Sequence, residues 1–138
     1  VVGEIIEGLL MEAGPEVTRH LLHLRDAGVQ VALDDFGTGY SSLSYLNKLD
    51  IDYIKIDRSF VCNLQADSPE LALCEGITVM AHKLGLRVVA EGVETEEQLR
   101  LLKSAGCDHA QGYLISRPVP AEAFDRLAAP VAELSVIA

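Results

Sequence analysis

Five apolar segments with the character of β-strands alternate with five helical segments along this 138-residue chain. The predicted strands are residues 2–6 with Glu7 as the end of the strand, a run that begins at residue 29, and residues 51–56, 87–90 and 109–114. Strands that alternate with helices are typical of βα units, whose strands lie parallel in one sheet. The sequence therefore predicts an α/β fold built around a parallel sheet.

Local signals mark where the predicted helices begin. Proline suits the first position of a helix, and helices are predicted to begin at Pro15 and Pro69. Thr95 and Gln98 have the spacing of a capping box, which predicts a helix from that point. The remaining predictions are helices over residues 41–49 and after residue 120, and a loop over residues 61–67.

The composition excludes several classes of protein. A formal net charge of −10 argues against binding to DNA or RNA, which favours a basic surface. No apolar run reaches the roughly 20 residues that a membrane-spanning helix needs. The three cysteines lack metal-ligand spacing, so we expect buried thiols in a reducing compartment. These features predict a cytoplasmic protein, or the cytoplasmic part of a membrane-anchored one.

The strand that begins at residue 29 ends in two adjacent carboxylates, Asp34 and Asp35, followed by a glycine turn over residues 37–39. Two neighbouring anions at the mouth of a buried strand repel each other and lose hydration unless something neutralises them. Divalent cations take carboxylate oxygens as ligands, so a metal site is one interpretation. The alternative is structural, with Asp34 capping the next helix and Asp35 solvated.

Polar or charged side chains follow or end every predicted strand. In parallel sheets the carboxyl ends of the strands meet at one edge, which is where ligands bind. Five such groups in register favour a functional site over chance. The residues are Glu4 and Glu7, Asp34 and Asp35, Lys55 and Asp57, Glu91 and Glu94, and Gln111.

Some of these residues also have a plain structural interpretation. Lys55 can form a salt bridge with Asp57 or Asp34 instead of contacting a phosphate or a water. Gln111 can be a core amide with all of its hydrogen bonds satisfied. Glu91 can be an acid that favours the start of the helix at Thr95. The residues alone leave these alternatives open.

In this order and at these separations, the residues resemble the EAL domain family of cyclic di-GMP phosphodiesterases. The matching stretches are EIIE (4–7), DDFGTGYSSLSYL (34–46), IKIDRSF (54–60), VVAEGVET (88–95) and QGYLISRP (111–118). The resemblance implies the C-terminal part of a TIM-like (β/α) barrel. It also implies a hydrolase that opens cyclic di-GMP to linear pGpG with two divalent cations, Mg²⁺ or Mn²⁺.

The resemblance assigns metal binding to four acids. Glu4, Asp34 and Glu91 match metal-binding acids, and Asp35 matches the acid that bridges two metals. Hydrolysis of a phosphodiester needs a deprotonated water, a neutralised phosphate and a stabilised leaving oxygen. Two divalent metals about 4 Å apart supply all three.

The other matches are catalytic or supporting residues. Lys55 matches the lysine that contacts the attacking water, and Gln111 matches an active-site glutamine. Together with Asp34, Asp35 and Glu91, they form the catalytic set that the resemblance implies. Glu7 matches the acid that holds the DDFGTG loop in place. Asp57 and Glu94 flank the site as supporting groups.

The chain departs from the family pattern at its start. The Glu-Ala-Leu signature and the asparagine ligand that follows it are absent, and Ile6 replaces a usual threonine. Gly3 also stands where an apolar residue is expected. A complete barrel needs about 250 residues. We therefore expect residues 1–138 to be a partial EAL domain, weakly active or inactive alone.

The partial barrel has consequences for partners. It would leave two open strand edges, which favours self-association. The family also leads us to expect an upstream sensory or diguanylate cyclase-like domain.

Two other functions compete with the phosphodiesterase. One is a degenerate EAL module that binds cyclic di-GMP or a protein partner without catalysis. The other is an unrelated metal-using α/β barrel enzyme that acts on phosphorylated sugars. The lack of a glycine-rich phosphate loop near the end of the chain counts against the latter.

Overall fold

A parallel five-stranded sheet forms the centre of the protein, whose structure is a computed structural model. The structure describes residues 2–11, 14–39, 46 and 49–127. The strands follow one another in space as in the chain, and all four neighbouring pairs are parallel. They are β1 (Val2–Ile6), β2 (Gln30–Phe36), β3 (Tyr53–Ile56), β4 (Arg87–Glu91) and β5 (His109–Gln111). The α/β prediction is confirmed.

Helices connect the strands or follow them. In the described part of the chain they are α1 (Glu7–Met11), α2 (Pro15–Asp26), α3 (Arg58–Val61), α4 (Pro69–Lys83), α5 (Glu96–Ser104) and α6 (Ala121–Leu127). The helices predicted to begin at Pro15, Pro69 and Thr95 are present, and the capping box of α5 is complete. The helix predicted over residues 41–49 falls largely outside the described residues. None of the described helices is long and apolar enough to cross a membrane.

Two short helices and two strand ends differ from the predictions. Glu7 begins α1 instead of ending a strand, and α3 was not predicted. Each has no more than five residues, which is too short for a helical period to appear in the sequence. Strand β3 begins two residues later than predicted, and β5 stops at Gln111 because the chain turns at Gly112.

The two faces of the sheet have different chemistry. Leu33, Ile54 and Val88 are fully buried on the face that packs against the helices. Side chains alternate along a strand, so Tyr53 and Lys55 of β3 share the opposite face. The same alternation and the pairing register place one polar residue from each strand on that face, and those of β2 to β5 lie towards the carboxyl ends of their strands. These residues are Glu4, Asp34, Lys55, Glu91 and Gln111.

The three cysteines are free thiols in different surroundings. Cys74 is buried, which raises its pKa to about 12, and Cys107 is half-buried. Cys62 is exposed, so the expectation of buried thiols is wrong for this residue. It follows α3 directly, and its Sγ donates to the carbonyl of Ser59 at 3.3 Å.

Gly112 packs against the loop between β4 and α5 too closely for a larger residue to fit. Its φ is 159°, and a Cβ at this position would lie 2.2 Å from the carbonyl oxygen of Val93. We expect G112A to lower the free energy of unfolding by about 2 kcal/mol or more. Chemical denaturation measures this change.

G76A is the matched control because Gly76 lies within α4 and a Cβ there meets no atom within 4 Å. Alanine is a better helix former than glycine, so G76A should leave stability unchanged or raise it by about 0.5–1 kcal/mol. Equal unfolding curves for G112A and the wild type would contradict the packing described for Val93.

Candidate active site

An irregularity in β2 brings the adjacent acids Asp34 and Asp35 to one place. In a regular strand, neighbouring side chains point to opposite faces of the sheet. The pairing of β2 with β3 shifts between Leu33 and Phe36, and Asp35 has a φ of 58°. Few residues other than glycine adopt this left-handed conformation, but aspartate is among those enriched there. The bulge therefore turns two successive carboxylates towards the same end of the sheet.

Asp34, Asp35 and Glu91 form an acidic cluster at this end. Each offers a carboxylate oxygen, and these oxygens lie within 4.8 Å of one another. All three side chains are half-buried. Such oxygen donors fit a divalent cation such as Mg²⁺, Mn²⁺ or Ca²⁺. The cluster therefore has the donor chemistry of a metal site.

The cluster raises the pKa of two of its acids. Burial raises the pKa of Asp35, and the nearby carboxylates of Asp34 and Asp57 raise it further. Burial also raises the pKa of Glu91, although its hydrogen bond with Lys55 opposes that shift. The protein without a cation thus disfavours full ionisation of these acids, and a bound cation would reverse that preference.

Lys55 lies between three carboxylates and is 3% exposed. Its Nζ is 2.5 Å from Oε1 of Glu4, 2.6 Å from Oε1 of Glu91 and 3.6 Å from Oδ1 of Asp34. Burial alone would lower the pKa of Lys55, but the hydrogen bonds with Glu4 and Glu91 raise it overall. The ammonium group therefore stays charged and partly neutralises the acids. Among the described residues, it forms no ion pair with Asp57.

The two glutamates of the first strand–helix junction occupy different positions. Glu4 contacts Lys55 and does not belong to the three-acid cluster. Glu7 is 4% exposed, and its Oε2 lies 3.4 Å from the backbone nitrogen of Gly37 in the loop after β2. Glu7 thus connects α1 to the loop that follows the two aspartates.

Asp57, Glu94 and Gln111 border the cluster. Burial would raise the pKa of Asp57, but hydrogen bonds from Ser59 lower it overall, and its Oδ1 caps α3. Glu94 is exposed. Oε1 of Gln111 is buried and accepts no hydrogen bond from the part of the chain that the structure describes.

An open groove of about 380 Å³ runs past the cluster. Its size suits part of a small-molecule ligand. It is lined by Asp35, Asp57, Arg58, Glu91, Gly92, Glu94, Gln111, Gly112 and Tyr113. A smaller cavity of about 200 Å³, lined by Gln30, Asp52 and Arg87 among others, contains none of the predicted site residues.

The groove contains two residues that the sequence reasoning did not single out. Arg58 is the only cationic residue among those that line it. Tyr113 is 56% exposed, and the guanidinium carbon of Arg117 lies 4.5 Å from the centre of its ring. Both residues stand in stretches already noted for the family resemblance, IKIDRSF and QGYLISRP. Arg58 directly follows Asp57, and Tyr113 lies two residues after Gln111. This proximity to assigned site residues was the signal that could have found them.

A parallel α/β sheet with clustered acids and a buried lysine at its carboxyl edge has the donor chemistry of a divalent-cation site. Comparison with known proteins identifies the family. Residues 1–118 match the EAL domain, and this chain belongs to the EAL domain family.

The relatives of this chain include signalling proteins and solved EAL domains. Cyclic di-GMP phosphodiesterase NbdA of Pseudomonas aeruginosa is 46% identical over 122 residues, which is 88% of this chain and 16% of NbdA. The solved EAL domain of Mycobacterium smegmatis DcpA is 43% identical, with a TM-score of 0.85. The match covers 94% of this chain and 58% of that one.

Two further solved neighbours contain ligands. The PaMucR phosphodiesterase complex with cyclic di-GMP is 42% identical with a TM-score of 0.82, and the match covers 89% of this chain and 55% of that one. BlrP1 of Klebsiella pneumoniae was solved with cyclic di-GMP and manganese, at 38% identity and a TM-score of 0.78. That match covers 86% of this chain and 30% of BlrP1. The chain thus spans less than two thirds of the proteins it resembles.

Replacing Lys55 tests its role as the neutralising cation. We expect K55M to lower the free energy of unfolding by about 1–3 kcal/mol at neutral pH in a metal chelator, because three carboxylates lose their common partner. The loss should shrink in mild acid, where Glu91, whose pKa is raised, becomes protonated. Because the folded-state pKa of Lys55 is raised, its contribution is present below the unfolded pKa and disappears as pH rises through the folded one.

K83M is the control, since Lys83 is an exposed residue in the last turn of α4. We expect a change of less than about 0.5 kcal/mol for this surface residue. A pH-independent loss in K55M, or equal losses in both variants, would contradict the neutralising role.

Proposed function

We propose that this chain is part of a metal-dependent phosphodiesterase that hydrolyses cyclic di-GMP to linear pGpG. The observation that carries the proposal is the cluster of Asp34, Asp35 and Glu91 beside buried Lys55. It lies at the carboxyl end of a parallel sheet in an EAL domain. A cyclic di-GMP phosphodiesterase among the relatives and a complex with cyclic di-GMP among the solved neighbours support the substrate.

The donor chemistry supports a divalent metal as cofactor. Asp34, Asp35 and Glu91 would hold it, and the family resemblance adds Glu4 and a second ion. Bound Mg²⁺ or Mn²⁺ would supply Lewis acidity and favour the deprotonated form of water. Neighbours solved with manganese and with calcium support a divalent cation at this kind of site.

The side chains of this chain have separate tasks in the proposed reaction. Water adds to one phosphorus, one P–O3′ bond breaks, and the leaving oxygen receives a proton. Lys55 orients the water or a phosphate oxygen with its ammonium group, which Glu4 and Glu91 hold in place. Arg58 supplies positive charge in an otherwise acidic groove. Gln111 offers a buried carbonyl oxygen as an acceptor.

The supporting residues hold this arrangement. Glu7 positions the loop after Asp35 through Gly37. Asp57 fixes the start of α3, and Glu94 forms part of the wall of the groove. The positions of these side chains support the proposed roles.

The wider context also belongs to the proposal. Residues 1–138 would form part of an EAL domain, with further ligands on a preceding segment and with regulation by an upstream sensory or cyclase-like domain. Self-association would use the outer edges of β1 and β5, each of which pairs with one strand in the described sheet. The cytoplasmic location rests on three thiols that form no disulfide. Light scattering at micromolar concentration tests the self-association.

Hydrolysis of cyclic di-GMP in the presence of Mg²⁺ or Mn²⁺ tests the function. The assay uses the purified protein that carries this chain, with the 138-residue chain beside it. We expect turnover that a chelator abolishes. D34N should lower kcat by more than about 100-fold, because it removes a charged ligand from the cluster. The chain alone should be weakly active or inactive.

E75Q is the matched control, since Glu75 is an exposed acid on α4 far from the cluster in sequence and outside the groove. It should keep wild-type turnover. Mn²⁺ should also raise the melting temperature of the wild type and of E75Q but not that of D34N. Binding of cyclic di-GMP without turnover would favour the degenerate binding module, and neither binding nor turnover would overturn the substrate assignment.

A further inference from the structure

Gln98 of α5 connects two segments that border the groove. Its side chain is 8% exposed. Nε2 donates to the carbonyl of Val61 at 3.0 Å and lies 3.5 Å from the carbonyl of Cys62. Oε1 accepts from the backbone N–H groups of Glu94 at 2.9 Å and Thr95 at 3.1 Å. One buried amide therefore joins the end of α3 to the start of α5.

Helix capping explains only half of these contacts. A capping box needs an acceptor at this position to bind the backbone N–H of Thr95, and glutamate serves as well as glutamine. The donation from Nε2 to Val61 contributes nothing to the cap of α5. It reaches the carbonyl of Val61 at the end of α3, 37 residues away in the chain, which also accepts from the backbone N–H of Leu64 at 3.1 Å. The amide donor is therefore the part of Gln98 that needs another explanation.

Both joined segments carry residues of the groove. Asp57 and Arg58 stand at the start of α3, and Glu94 stands just before α5. The segments also touch directly, because a Cβ at Gly92 would lie 2.6 Å from the Cβ of Arg58. Gly92 has a φ of 73°, which suits glycine. Arg58 and Gly92 are in close contact and both line the groove. A shift of α3 relative to Gly92 would therefore change the shape of the groove.

The acidic cluster is held by other contacts. Glu91 pairs in register with Gln111 in the sheet, and Asp34 belongs to the strand β2. Neither depends on Gln98 for its backbone position. Loss of the amide donor should therefore move the wall formed by Asp57 and Arg58 while leaving the cluster in place.

We propose that Gln98 is a positioning residue that sets the separation of the two walls of the groove and thereby the affinity for the substrate. The proposal rests on the proposed function for its substrate. The link itself is defined by the hydrogen bonds of Gln98 to α3 and to the segment before α5.

Q98E separates the two halves of the contact. An ionised carboxylate still accepts from the backbone N–H groups of Glu94 and Thr95 but cannot donate to the carbonyl of Val61. We expect KM for cyclic di-GMP to rise about five-fold or more, as for the loss of one useful hydrogen bond, with kcat changed less than about two-fold. The concentration of Mn²⁺ that half-saturates the shift in melting temperature should stay within about two-fold of the wild-type value.

T95A is the matched control because it removes the capping-box bond that the Thr95 side chain accepts. It deletes the Oγ1 that accepts from the backbone of Gln98 at 3.1 Å but leaves the amide donor in place. It should lower thermal stability without raising KM. Q98M, which is similar in size and forms neither bond, should show both effects and serves if Q98E fails to fold.

Hydrogen exchange gives a readout that does not depend on activity. The backbone amide of Cys62, which donates to the carbonyl of Arg58 in α3, should exchange at least about ten-fold faster in Q98E than in T95A. Equal exchange in the two variants, or a KM that rises equally in both in step with their loss of stability, would overturn the positioning role. A wild-type protein without turnover or binding would overturn the proposed function, and the exchange comparison would still decide whether Gln98 holds α3.

Discussion

The repulsion among the carboxylates at the end of the sheet is the constraint on which the rest of the structure depends. Asp34, Asp35 and Glu91 place oxygens within 4.8 Å of one another, and in the protein alone their main counter-charge is Lys55. Burial and mutual repulsion raise the pKa of Asp35 and Glu91. A fold that keeps these acids together loses stability unless a cation binds them. This makes cation binding the simplest reason for the arrangement.

Backbone geometry creates that repulsion in the first place. A regular β2 would send Asp34 and Asp35 to opposite faces, and the left-handed conformation of Asp35 prevents this. Glu7 holds the loop after β2 through the backbone of Gly37. Gln98 links the start of α5 to the end of α3. Local strain and buried polar contacts thus serve the site, as is common where function needs a fixed geometry.

The sequence predicts much of this structure because its signals are local. Alternating apolar segments predict the parallel sheet, and Thr95 with Gln98 predicts the start of α5, as the structure confirms. The partners of Lys55 depend on strand register, which a single sequence does not reveal. Contacts between distant segments determine the bulge at Asp35, the four-residue helix α3 and the hydrogen bond that the Gln98 amide donates to Val61. Such contacts leave no periodic pattern in the chain.

Anomalous diffraction from crystals of the protein that carries this chain, grown with Mn²⁺, is the most direct test of a metal site at the end of the sheet. We expect a manganese peak about 2.1 Å from carboxylate oxygens of Asp34, Asp35 and Glu91. Lys55 should then lie beside the ion without occupying its position. Manganese peaks only at other acids, with Glu91 and Asp34 still paired to Lys55, would contradict a metal-dependent site at the end of the sheet.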